Sequence, residues 1–194
     1  VYDLDGTLKT DHRVAVNAAV EAATDLGMID FPADLSAVHF AKLELRDASG
    51  QMRSQNFYWR ALPPHAEDFS ALDTLPLAKL IVHVDRHDSG GQCILDVNVA
   101  NPTTTVALMA HFQLRRRSSG ERVLPVYYSD NYISLLPGES ARFQVNAALA
   151  DLHGEAPVLM LDGWNVTADA GDGVAINTDA LPSSWPMGGF GPAK

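Results

Sequence analysis

Between Leu80 and Leu114 apolar side chains fall on every second residue, in runs cut by turn residues, and this period narrows the possible folds more than any other feature of the chain. The runs are Leu80, Val82 and Val84, then Cys93, Leu95, Val97 and Val99, then Val106, Leu108, Ala110, Phe112 and Leu114. A period of two puts one face of an extended strand into a core, whereas a helix needs apolar residues three and four apart. Further strands are expected at Ala141–Leu149, with Phe143, Val145 and Ala147 inward, and at Pro157–Val166. Ser89-Gly90-Gly91, Ser118-Ser119-Gly120 and Pro137-Gly138-Glu139 separate the runs at the spacing of a β-sandwich. No segment carries an apolar stripe at helical spacing with caps at both ends, so the expected class is all-β.

The N-terminal part repeats the pattern less cleanly. Val14, Val16, Ala18, Val20 and Ala22 alternate with Ala15, Asn17, Ala19 and Glu21, which predicts a strand despite the alanine content. Leu43 and Leu45 lead into a turn at Asp47-Ala48-Ser49-Gly50, and the aromatic run Asn56-Phe57-Tyr58-Trp59 follows as a strand of the same sandwich. Leu62 to Pro76 holds three of the prolines and no sustained period, and reads as a linker. After Thr167 the chain turns rich in Gly, Asp, Pro and Ser, with Trp185, Met187 and Phe190 as apolar anchors, the pattern of an extended tail that docks rather than folds alone.

Charge and cysteine content remove several function classes. A formal net charge of −10 disfavours nucleic acid as a partner, because phosphate binding needs clustered Lys and Arg. The single basic run, Arg115-Arg116-Arg117, reads as the solvated end of a strand. No apolar run approaches the roughly 18 residues of a membrane span, so no membrane partner is expected. Cys93 is the only cysteine, which excludes an intrachain disulfide and a thiolate-rich metal site within one chain, and it sits on the core side of its strand. His83, Asp85 and His87 share a strand face, but the two histidines lie about 13 Å apart at 3.3 Å per residue, too far to share one ion without a bend. Neither a metal nor another cofactor is expected.

The opening residues Asp3-Leu4-Asp5-Gly6-Thr7-Leu8 resemble the first motif of the haloacid dehalogenase superfamily, and Gly171-Asp172-Gly173 with Asn177 faintly resembles its magnesium-binding motif. That chemistry needs a nucleophilic Asp at the carboxyl end of a buried parallel strand in a doubly wound sheet. Only Val1 and Tyr2 precede Asp3, and the middle of the chain is strand after strand. A β-turn at Asp5-Gly6-Thr7 between antiparallel strands is the favoured reading, with the phosphatase as a remote alternative.

The segment Leu124-Pro-Val-Tyr-Tyr-Ser-Asp-Asn-Tyr-Ile-Ser-Leu-Leu-Pro-Gly-Glu-Ser140 resembles part of the last domain of exo-β-D-glucosaminidases and β-mannosidases of glycoside hydrolase family 2. Asn56-Phe57-Tyr58-Trp59, a Leu75-Pro76 entry and Gly163-Trp164-Asn165 match the same family. The resemblance implies two consecutive immunoglobulin-like antiparallel sandwiches: a partial one at 1–61, a linker at 62–76, a second sandwich at 77–167, and the tail at 168–194. It also implies that the chain, which begins Val1-Tyr2-Asp3 without Met, is a segment of a longer enzyme with the first strand of its fourth domain cut away. In this family the two catalytic carboxylates belong to an upstream (β/α)₈ barrel, so the segment carries no catalytic residue and is expected to hydrolyse nothing by itself. Its implied partners are the catalytic barrel of the same polypeptide and an oligosaccharide, the parent being secreted or periplasmic.

Candidate contacts to substrate or barrel are Tyr127, Tyr128, Asp130, Asn131, Tyr132 and Trp164, which mix ring faces with polar arms. The competing reading makes Asp130 and Asn131 turn residues and the tyrosines corner anchors. Trp59 and Trp164 end strands among apolar neighbours and read as packing residues, and Asn165-Val166-Thr167 is a formal glycosylation sequon of low specificity. An independent carbohydrate-binding sandwich is the second function class.

Overall fold

The structure, a computed structural model, describes residues 1–17, 19–168 and 174–176. The chain divides into two units, residues 1–76 with 104–106, and residues 77–103 with 107–194. Almost all regular structure is strand, and the two helical pieces among the described residues are short 3₁₀ segments, Ser70–Thr74 and Leu149–Leu152. None is long and apolar enough to cross a membrane.

The first unit holds a three-stranded antiparallel sheet in the order β1 (Tyr2–Asp3), β2 (Val38–Arg46), β3 (Met52–Ala61). Asp47 builds the β2–β3 turn: its Oδ1 accepts Ser49 N at 2.9 Å, Ser49 Oγ at 2.6 Å and Gln51 N at 3.0 Å, and Gly50 takes φ 84°. Val38, Phe40 and Ala41 are buried, and Phe40 packs on Phe57 at 5.1 Å between ring centroids. Within the stretch read as a linker, the 3₁₀ turn buries Leu72, and Phe69 lies 6.5 Å from the Trp59 ring, a packing role for that tryptophan.

The strand expected over Val14–Ala22 is absent from the described residues, and Ala18 lies outside them. Val14, Val16 and Val20 are exposed, Val20 at 92%, and Glu21 takes φ 59°. Alternation gives a segment an apolar side, but a strand also needs a neighbour for its N–H and C=O groups, and none pairs here.

The second unit is a two-layer sandwich. One sheet runs β11 (Val166–Ala168), β4 (Ala78–Ser89), β5 (Gln92–Ala100), β9 (Ser140–Ala148), β7 (Val126–Tyr128). The other runs β12 (Val174–Ile176), β10 (Pro157–Asp162), β6 (Ala107–Arg116), β8 (Ile133–Leu135). Cys93, Leu95, Val97 and Val99 of β5, with Phe143, Val145 and Ala147 of β9, share one core with Ala110, Phe112 and Leu114 of β6 and with Leu159 and Leu161 of β10. Of the alternating residues named from sequence, Leu80, Val82, Cys93, Leu95, Val97, Val99, Ala110, Phe112 and Leu114 lie in this core and Val84 packs against it, while Val106 and Leu108 are buried outside it; burial pushes the Cys93 thiol pKa up. Gly90 (φ 57°) and Gly91 (φ 78°) close the β4–β5 hairpin, since two consecutive positive φ angles match the twist of the strands they join.

Four features depart from the sequence expectation. The strand read at Pro157–Val166 is two strands in different sheets, because the chain crosses over at Gly163-Trp164-Asn165. A Cβ at Gly163 would meet Val166 Cγ2 at 2.5 Å and Met109 O at 2.7 Å, so only glycine fits the crossing. Alternation in β6 slips at a bulge between Ala107 and Ala110, where Leu108 is buried and Met109 takes φ 55°. The sheets are not wholly antiparallel: β11 runs parallel to β4, and β12, from the stretch read as a tail, runs parallel to β10. The anchors Trp185, Met187 and Phe190 lie outside the described residues. Lastly, the basic run is not simply a solvated strand end: Arg116 is mostly buried, donates from Nε to Asp151 O at 3.0 Å and pairs with Glu121, while Arg117 is exposed.

Candidate functional site

Strand β7 and the turn that leads to β8 carry five of the six candidate residues, and the structure sends them to different places. Tyr128 points toward the core, where its hydroxyl oxygen accepts Leu114 N at 2.9 Å and burial raises its phenol pKa. Asn131 reaches the same strand. Its Oδ1 accepts Phe112 N at 2.9 Å and its Nδ2 donates to Phe112 O at 2.9 Å, so one side chain satisfies both backbone groups as a neighbouring strand would. Between the Ala110–Ile133 pair and the Arg115–Arg122 bridge, the edge of β6 is thus closed by side chains.

Asp130 Oδ1 accepts Asn131 N at 2.8 Å, the turn role anticipated for it. Tyr127 belongs to β7 in the five-stranded sheet and is 68% exposed. Tyr132 sits beside the four-stranded sheet instead, in the left-handed region at φ 55°, and stacks on His111 of β6 with ring centroids 4.3 Å apart and planes 10° apart. Trp164, half-buried, belongs to the crossover, where its backbone N–H donates to Leu108 O at 3.1 Å. The six residues therefore form no single cluster.

The outer face of the four-stranded sheet holds polar residues that the alternation argument passed over. His111 Nδ1 lies 2.7 Å from Asp162 Oδ1, Gln113 Nε2 donates to Asp162 Oδ2 at 3.1 Å, and Arg115 Nη2 donates to Gln113 Oε1 at 3.2 Å. The chain Arg115–Gln113–Asp162–His111–Tyr132 links β6, β10 and the turn. Its one sequence signal was that His111, Gln113 and Arg115 occupy the alternate positions between Ala110, Phe112 and Leu114.

The remaining motifs are accounted for by local structure. Asp3 N donates to Thr7 O and Gly6 N to Asp3 O, both at 2.9 Å, and Tyr2 bridges Leu8 in antiparallel sense. Asp3 Oδ1 accepts Ser36 N at 2.8 Å and Ser36 Oγ at 3.0 Å, and Asp5 Oδ1 accepts Thr7 N at 2.8 Å, a bond that lowers the Asp5 pKa. Asp3 thus stands on an antiparallel pair rather than at the end of a parallel strand. The second half of that motif, Gly171-Asp172-Gly173 and Asn177, lies outside the described residues. His83, Asp85 and His87 are exposed on β4, with His87 Nδ1 3.3 Å from Asp96 Oδ2, and among the described residues no three metal-ligating side chains gather. Asn165 of the sequon is 4% exposed, and its Oδ1 accepts Leu108 N at 2.9 Å, so it is a crossover residue shielded from modification.

A family model described as the exo-β-D-glucosaminidase Ig-fold domain matches residues 56–166. An exo-β-D-glucosaminidase of Streptomyces avermitilis is 30% identical over 85% of this chain and 21% of its own length. A mannosylglycoprotein endo-β-mannosidase of Lilium longiflorum is 31% identical over 61% of this chain and 13% of its own length. The crystal structure of an exo-chitosanase of Amycolatopsis orientalis superposes with a TM-score of 0.64 at 28% identity, covering 71% of this chain and 19% of that one. The chain spans about a fifth of the length of the curated relatives it matches, 21% and 18% for two bacterial exo-β-D-glucosaminidases.

Proposed function

Because the chain belongs to the exo-β-D-glucosaminidase Ig-fold domain family, we propose that it is the non-catalytic accessory region of a family 2 glycoside hydrolase that removes terminal β-glucosaminide or β-mannoside residues. Residues 77–167 form its immunoglobulin-like sandwich, 1–61 a partial one and 62–76 the connection. Its partner is the catalytic barrel of the same polypeptide, on which it packs and which it supports.

The observation that carries this reading is the family match through the sandwich core, together with how the carboxylates around the Tyr127–Tyr132 turn are used. Retaining hydrolysis needs two carboxyl groups about 5–5.5 Å apart and free to meet a glycosidic oxygen and an anomeric carbon. Here Asp130 caps its own turn, Glu139 accepts Leu136 N at 3.0 Å, and Asp162 holds His111 and Gln113. Each is committed to holding the fold.

The test uses the chain and its parent enzyme side by side. The purified chain is expected to release no aglycone from aryl β-glucosaminides or β-mannosides. The parent lacking residues 77–194 is expected to lose thermal stability and activity together. Turnover by the chain alone, or a truncated parent that keeps both properties, would overturn the proposal.

A further inference from the structure

We propose that the outer face of the four-stranded sheet carries a binding patch for a β-linked pyranose, with Tyr132 as its stacking platform. The patch is built from residues of the second unit and goes beyond the supporting role.

A tyrosine that merely packs hides its ring, and Tyr132 does not. One face lies on His111, yet the residue keeps 55% of its surface open, which leaves the opposite ring face to solvent. Its backbone is held at φ 55°, a conformation disfavoured for a bulky side chain, and Tyr132 N donates to Asn131 Oδ1 at 2.9 Å while that oxygen is fixed to β6. Burial is served by its neighbour Ile133, which is 4% exposed. The fold therefore positions a ring that it does not bury.

The group beneath the ring is equally fixed and has one free valence. Asp162 holds the Nδ1 edge of His111, so in the neutral ring that nitrogen carries the hydrogen and Nε2 is an acceptor. Nε2 has no hydrogen-bond partner among the described residues. An aromatic face with a fixed acceptor at its edge suits a pyranose, whose axial C–H groups lie on the ring while a hydroxyl donates to the imidazole. Arg115 and Asp162 are of opposite sign and joined through Gln113, so the face has no dominant charge to select a simple ion.

The test is titration of the 194-residue chain with β-linked glucosamine and β-linked mannose oligosaccharides, followed by calorimetry and by the tyrosine ring resonances. Saturable binding is expected, and Tyr132→Ala should weaken it about tenfold, the scale of one lost ring contact, while Tyr132→Phe keeps it. Tyr127→Ala should bind as the unaltered chain does, because Tyr127 lies on the other sheet. Preference for one oligosaccharide identifies which sugar the patch takes. No saturable binding of either, or equal binding by a folded Tyr132→Ala chain, would overturn the proposal. Both results are independent of whether the truncated parent loses activity, so failure of the patch and failure of the accessory role are told apart.

Discussion

The sheet of the first unit and the sandwich of the second are built from similar strands, but they bury them to different extents. β2 encloses Val38, Phe40 and Ala41 and then leaves Leu43 and Leu45 at 44% and 55% exposure. β5 keeps Cys93, Leu95, Val97 and Val99 at 2% or less along its whole length. The difference is the second layer: an alternating strand states which side chains can be buried, and an opposing sheet decides whether they are. Val14, Val16 and Val20 extend the lesson, since among the described residues no strand pairs with them and their side chains are exposed.

The largest test of this contrast replaces one apolar residue from each region. Phe112 is fully buried and packs on Phe143 at 4.9 Å, so Phe112→Ala should cost about 3–5 kcal/mol of unfolding free energy in urea. Leu45→Ala, on the open part of β2, should stay within about 0.5 kcal/mol. Equal losses would show that the exposed end of the first sheet is covered in solution.

A smaller effect separates hydrogen bonding from packing within the sandwich. Asn131→Ala strips both backbone groups of Phe112 of their partner and should cost about 2–3 kcal/mol, whereas Tyr128→Phe removes one acceptor and should cost about 1 kcal/mol. Amide exchange at Phe112 should speed up in the first variant far more than in the second. Similar exchange in both would mean that Asn131 does not act as a surrogate strand.

The smallest effect concerns acid sensitivity, which should lie in the first unit. His39 on β2 is 2% exposed, its Nδ1 has no hydrogen-bond partner, and burial lowers its pKa from the usual 6.5, opposed by a hydrogen bond with the Ser36 backbone and by Asp3 and helped by the Arg60 charge. Above that usual value His39 is neutral folded and unfolded, and stability does not depend on it. Below it the unfolded chain takes up a proton that the folded chain resists, so stability falls as pH falls. Protection factors of the β2 amides, taken relative to the intrinsic exchange rate at each pH, should therefore fall between about pH 7 and 5 and fall much less in His39→Gln. An unchanged fall would place the acid-sensitive group elsewhere.

The alternating core and the hairpin turns were legible from the residues, because a period of two and paired glycines act locally. The β-class and the core-facing residues of β5 and β9 followed directly. The candidate site was legible only in part: Asp130 and Tyr128 took the turn and corner roles anticipated for them, but grouping Tyr127 with Tyr132 ignored that a four-residue turn can deliver neighbours to opposite sheets. His111 and Asp162 were missed because they lie 51 positions apart and meet only through the β6–β10 register.

By itself, then, the sequence determined the strand period, the core-facing residues of the sandwich and, through the segment Leu124–Ser140, the family. Tertiary structure alone decided that Val14, Val16 and Val20 join no sheet among the described residues, that the chain changes sheets at Gly163, and that Asn131 closes the edge of β6 while Tyr132 turns outward. The physical reason is common to all of these. Side-chain period is a property of one strand, but pairing, burial and the contacts of an outer face belong to two or more segments brought together from distant parts of the chain.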